Sequence, residues 1–264
     1  MKFKKSILTV LMSSVLLMSG CSSGGDSSST DEIQKIKDRG VLRIGTKVDV
    51  PKFGYKDPAT NEVDGLEIDI ARAIAKKILG DESKIETQAV AAKTRGPLLD
   101  NGEVDLVIAT FTITEERKES YNFSDAYFTD GVALLVKKDD GYNTLKDLDG
   151  KTIGVSQSST TKDSLLKEAE SLGITLKFSE YATYPEIKAA LDSGRVDCFS
   201  VDSAILTGYL DDSTVILDDR YNPQEYGIAS KKSNESLAKV VNEVVNEMKE
   251  SGELDKLIEK WEIR

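Results

Sequence analysis

From residue 31 onward, short apolar runs alternate with segments of helical periodicity, and this alternation constrains the fold more than any other feature of the chain. Residues 41–45 (VLRIG) read as a strand, and residues 66–79 place Leu66, Ile70, Ile74 and Ile78 on one helix face, which Gly80 ends. A strand at 86–90, a short helix at 96–101 and a buried strand at 104–109 (VDLVIA) follow. The rhythm then recurs: strand 151–155, helix 162–172, strand 176–178, helix 184–191 and strand 196–201. Strand, helix, strand in succession predicts an α/β fold with parallel strands joined by right-handed crossovers, and two such sets predict two lobes. The chain closes on an amphipathic helix whose stripe of Leu237, Val240, Val241, Val244, Val245 and Met248 needs a partner surface. No period of a solenoid recurs.

Charge narrows the function. The 264 residues hold 35 Lys and Arg, 46 Asp and Glu and no His, a formal charge of −11. Without imidazole there is no Ser-His-Asp triad, Cys-His dyad or His-ligated zinc. An acidic chain repels phosphate backbones, so nucleic acid is not the expected partner. The pairs Asp139-Asp140 and Asp211-Asp212 lack calcium-loop spacing, and neither a metal nor a cofactor is expected.

The first 20 residues read as an export signal: Lys2, Lys4 and Lys5 precede an apolar run at 7–18, too short for a membrane span of about 20 residues. Leu17-Met18-Ser19-Gly20-Cys21 resembles the lipobox of bacterial lipoproteins, which implies cleavage before Cys21 and lipidation of its thiol. Residues 21–30 are then a flexible tether of Ser, Gly, Asp and Thr. The expected location is the outer face of the cytoplasmic membrane, or the periplasm or cell surface. Cys198 is left without a disulfide partner and reads as core filler.

Several motifs in order resemble extracellular solute-binding proteins of ABC transporters that take polar amino acids (family 3): residues 40–45 (GVLRIG), 64–71 (DGLEIDIA), 109–117 (ATFTITEER), 121–128 (YNFSDAYF), 145–155 (LKDLDGKTIGV) and 252–261 (GELDKLIEKW). Within that family, residues 92–101 (AKTRGPLLDN) and 184–191 (YPEIKAAL) resemble the branch that binds aspartate and glutamate, including the PEB1-type adhesins. The resemblance implies a two-lobed periplasmic-binding-protein-like type II fold with two hinge crossings, near 127–131 and 225–230. Lobe one would comprise 31–131 and 227–264, and lobe two 132–226. It also implies a monomer that hands its ligand to an ABC permease and its ATPase.

A free amino acid requires donors for its α-carboxylate, an acceptor for its ammonium and a match for its side chain. Arg117 can fork onto a carboxylate, with the Thr112 hydroxyl and Thr110 backbone groups beside it. Residues 156–161 (SQSSTT) open a helix, whose free N–H groups face an anion, so Thr160 and Thr161 are candidates. Asp202 ends a strand where, by resemblance, the family keeps an acid for the ammonium, and Tyr184 is, by the same resemblance, a candidate for closing over the side chain. Lys47 and Arg95 replace the acid and the aromatic wall of many relatives. Three cations against Asp202 favour an acidic amino acid, with glutamine or another polar amino acid as the alternative. An enzyme resembling the cyclohexadienyl dehydratases lacks a second positioned catalytic partner, and an adhesin or sensor role remains compatible. No enzymatic activity is expected; closure of the lobes over the ligand is.

Overall fold

The computed structural model describes residues 32–263; the export signal, Cys21 and the tether lie outside the described residues. The first half runs α1 (Glu32–Arg39), β1 (Leu42–Thr46), β2 (Asp49–Val50), β3 (Gly54–Lys56), β4 (Val63–Asp64), α2 (Leu66–Leu79), β5 (Ile85–Ala89), α3 (Arg95–Asp100), β6 (Leu106–Val107), α4 (Glu115–Ser120), β7 (Tyr121–Phe123) and β8 (Phe128–Lys137). There follow β9 (Thr152–Ser156), α5 (Thr161–Leu172), β10 (Lys177–Tyr181), α6 (Tyr184–Asp192), β11 (Cys198–Asp202), α7 (Ser203–Leu206), β12 (Thr214–Ile216), β13 (Tyr221–Tyr226), β14 (Ala229–Lys231), α8 (Glu235–Glu250) and α9 (Glu253–Lys260).

Two mixed sheets carry the α/β, two-lobed fold. The first has the order β5-β1-β6-β14-β7, with β1 parallel to β5 and β6 while β14 runs antiparallel to β6 and β7. The second has the order β10-β9-β11-β8-β12, with β13 also paired to β8. Its β9 is parallel to β10 and β11, but β8 is antiparallel to β11, β12 and β13. The strands legible in the sequence, β1, β5 and β6 in one set and β9, β10 and β11 in the other, are thus parallel as expected, and the antiparallel members are additions to them. The apolar stretch of β8 is preceded by Asp130-Gly131, a turn-like dipeptide, which conceals in sequence that the strand continues back to Phe128. The chain leaves the first sheet through β7 into β8 and returns through β13 into β14. Where it crosses, Phe128 pairs with Tyr226, Thr129 with Glu225 and Asp130 with Gln224.

The helices start and stop where local chemistry directs. Gly65 precedes α2 at φ +144°, and a Cβ there would meet the Phe53 carbonyl oxygen at 2.1 Å, so only glycine lets the helix start this close to β3. Gly80 closes the helix in the left-handed conformation, donating its N–H to the Lys76 carbonyl. A Thr183/Glu186 capping box opens α6. The stripe of α8, with Leu237, Val241, Val244, Val245 and Met248 buried, packs against α1, α2 and α9, which returns the C-terminal segment to the first lobe. Cys198 is fully buried in the second sheet, and that burial pushes its thiol pKa up, as befits an inert core residue.

Candidate functional site

The carboxyl ends of parallel strands meet between the two sheets, the place where open α/β sheets bind ligands. Thr46 ends β1, Thr110 follows β6, Ser156 ends β9 and Asp202 ends β11. All four are buried, and among the described residues the hydroxyls of Thr46, Thr110 and Ser156 have no hydrogen-bond partner. Such groups are otherwise almost always satisfied, so the strand ends form a polar, enclosed chamber.

From the first lobe comes Arg95, at the start of α3 and only 4% exposed. Its guanidinium donates to the carbonyls of Ala109 at 2.7 Å and Thr110 at 3.2 Å, while its Nε is buried without a partner. Arg117, on α4, donates to the Thr112 carbonyl at 2.7 Å and reaches across to the Ser158 carbonyl at 3.3 Å. Both guanidiniums pack on the Phe111 ring, 3.9 Å and 4.7 Å from its centre. Burial, with repulsion from Arg95, pulls the Arg117 pKa down to about 9, and burial lowers that of Arg95. Among the described residues neither is ion-paired with a carboxylate.

The carboxylates are placed differently. Asp202 accepts from the Tyr226 hydroxyl at 2.5 Å, and burial raises its pKa to about 7. Asp49 pairs with Lys47 at 3.0 Å and accepts from the Tyr184 N–H at 3.3 Å. Lys47 is 1% exposed and sits 4.5 Å from the centre of the Tyr184 ring, and burial lowers its pKa. Glu67, at the start of α2, is wholly buried and accepts from the Thr110 N–H and the Tyr127 hydroxyl. Burial raises its pKa.

These placements refine the sequence expectations. Lys47, Arg95, Thr110, Arg117, Tyr184 and Asp202 converge on the chamber. Thr110 was expected to offer backbone groups, but Glu67 holds its N–H and Arg95 its carbonyl, leaving the hydroxyl. The Thr112 and Thr160 hydroxyls both donate to Gln224 Oε1, at 2.9 Å and 2.6 Å, so they tie the lobes to the crossing strand β13. Thr161 is buried at the start of α5. The count of three cations against one acid is also corrected, because Asp49 neutralises Lys47 and Glu67 is a second buried carboxyl. Glu67, Gln224, Tyr127, Tyr226 and Phe111 were not predicted as site residues. The 64–71 motif contains Glu67, but its burial depends on α2 packing, which sequence spacing does not report. A cleft of about 780 Å³ between Arg117, Ser158, Thr160 and Asn222 opens beside the chamber and shares only its edge.

Residues 42–263 match the model of bacterial extracellular solute-binding proteins, family 3. The chain belongs to that family. It is 40% identical over 250 residues to a glutamine-binding protein of Geobacillus stearothermophilus, covering 89% of this chain and 94% of the relative. An ABC-transporter glutamine-binding protein of Bacillus subtilis (strain 168) is 37% identical over 265 residues, covering 97% and 96%. Among solved structures, an ancestral arginine-binding protein bound to arginine superposes with a TM-score of 0.75 at 39% identity, covering 84% of this chain and 98% of that one. As a family member the chain is a solute-binding protein of transport and not an enzyme.

Proposed function

We propose that the protein captures an acidic amino acid, glutamate or aspartate, and delivers it to an ABC permease. The observation that carries this reading is the pair of guanidiniums, the buried Arg95 and the half-buried Arg117, neither of which is ion-paired with a carboxylate among the described residues. A buried cation left without a counter-charge is costly, and an amino acid with two carboxylates supplies both partners. Arg117 takes the α-carboxylate, Asp202 the ammonium and Arg95 the side-chain carboxylate. Tyr184, held over Lys47, forms the wall, and Thr110, Thr160 and Thr161 complete the polar lining. Glutamine is the second reading, favoured by the names of the two bacterial relatives. Yet proteins similar at 40% and 39% identity are named for glutamine and arginine, so identity of this degree does not carry the ligand over.

The boundaries that go with this reading are lobe one at 31–131 and 227–264 and lobe two at 132–226, with β8 and β13 as the hinge. The Asp49–Tyr184 N–H and Arg117–Ser158 carbonyl contacts join the two lobes, and in this reading they are contacts that closure forms. A lipid on Cys21 and a 21–30 tether would keep the monomer near its permease. The test is calorimetric titration of ligand-stripped protein. Glutamate or aspartate is expected to bind at least tenfold more tightly than glutamine; equal or tighter glutamine binding gives the second reading.

Asp202 adds a pH signature. Its carboxyl is protonated below about pH 7 in the unliganded protein, and the ammonium requires the ionised form. Affinity for a neutral amino acid such as glutamine is therefore expected to fall by up to about tenfold per pH unit as pH drops below about 7. An affinity constant from pH 8 to pH 5 would remove Asp202 from the ammonium site.

A further inference from the structure

The charge of the chamber turns on Glu67, a residue that touches neither ligand carboxylate in the arrangement above. With Glu67 ionised, Arg95 and Arg117 balance Asp202 and Glu67 while Lys47 balances Asp49, and the enclosed charge is zero. A ligand of net charge −1 would then leave an unbalanced negative charge in a mostly buried site, at the desolvation cost that buried charges carry. A neutral Glu67 restores the balance. We propose that Glu67 is a specificity-determining residue of the amino-acid site, taking up one proton from solvent when a dicarboxylic amino acid binds and remaining ionised when a neutral one does.

Three observations support it. Glu67 has no solvent exposure, and its Oε1 accepts both available donors, the Thr110 N–H and the Tyr127 hydroxyl, each at 2.5 Å. Its Oε2 is buried and, among the described residues, without a partner, so it can carry the proton without loss of either bond. The titratable groups that face it are Tyr127 from the segment before β8, Arg95 from α3, Lys47 after β1 and Tyr184 from α6. Asp69, on the same helix, is held by Arg72, Lys260 and Trp261 instead. Burial favours the neutral form, while the hydrogen bonds from Tyr127 and Thr110 and then the charges of Arg95 and Lys47 oppose it, so a ligand carboxylate that neutralises Arg95 removes one part of the opposition. Glu67 also pins Thr110, a β-branched residue at φ +42°, in the left-handed turn that aims its carbonyl at Arg95.

This inference rests on the acidic-ligand reading, and calorimetry in buffers of different ionisation enthalpy separates the two. Between pH 7.5 and 8, where Asp202 is largely ionised and Arg117, at about 9, still holds its proton, glutamate binding by the native protein is expected to take up close to one proton, with affinity falling by up to about tenfold per pH unit. Glu67→Gln keeps an acceptor for Thr110 and Tyr127 but cannot ionise. That variant is expected to bind glutamate with no proton uptake and a flat pH profile, and to discriminate against glutamine about tenfold more strongly. Glutamate binding without proton uptake across this range in the native protein, or uptake that persists in Glu67→Gln, overturns the role of Glu67. The absence of any glutamate binding heat instead overturns the ligand reading and this inference with it. The native titration needs no variant to fold.

Discussion

Replacing Arg117 with alanine is expected to abolish binding of every amino acid, a loss of at least about a thousandfold, with the fold retained. Arg117 approaches the chamber from α4, on the chain segment where residues 114–117 cap their own helix: the Thr114 hydroxyl accepts from the Arg117 N–H at 3.1 Å. That capping survives the substitution because it uses the backbone. The guanidinium is what disappears, and with it the bidentate partner of the α-carboxylate common to all amino acids. Truncating one side of a buried, hydrogen-bonded charge pair costs about 2 to 5 kcal/mol, and here the bridge to the Ser158 carbonyl across the lobes is lost as well. Calorimetry with glutamate, aspartate and glutamine, alongside thermal melting, checks it. Retained glutamine binding would assign the α-carboxylate elsewhere.

Arg95→Ala is expected to act selectively: glutamate and aspartate weaken by about 100-fold or more, glutamine by less than tenfold. The asymmetry follows from charge. Glutamine presents a carboxamide, which loses one hydrogen bond of about 1 kcal/mol, whereas a side-chain carboxylate loses its only unpaired cation. Lys47→Ala separates the roles further. Because Asp49 already neutralises Lys47, its removal frees Asp49 and is expected to weaken all ligands through Tyr184 and closure, without a preference for acidic ones. Equal losses for glutamate and glutamine in Arg95→Ala would show that Arg95 is structural, holding the Ala109 and Thr110 carbonyls and no more.

Much of this architecture is legible in the residues. The spacing of Leu66, Ile70, Ile74 and Ile78 and the glycine at 80 locate α2 to the residue, because a helix of that strength is decided locally by its apolar stripe and its cap. The antiparallel strand β8 is not legible: after Phe128 come Thr129, Asp130 and Gly131, which do not read as strand, and pairing with β13 keeps them extended. The site divides in the same way. Arg117, Arg95 and Asp202 stand at element ends that the sequence marks, so their convergence follows from the fold. Partners from distant parts of the chain do not announce themselves. Lys47 reads as a free cation until β2 brings Asp49 beside it. Nothing in the 64–71 motif sets Glu67 apart until Tyr127 and the Thr110 turn close over it. Charge counted along a sequence is thus incomplete wherever burial, a tertiary property, selects which charges share a chamber.

The crystal structure of the glutamate complex tests the central claim most directly. The account predicts the α-carboxylate on Arg117, the ammonium on Asp202 and the side-chain carboxylate on Arg95, with both guanidiniums ion-paired for the first time. A complex in which Arg95 contacts no ligand carboxylate, or in which both carboxylates share Arg117, would contradict it.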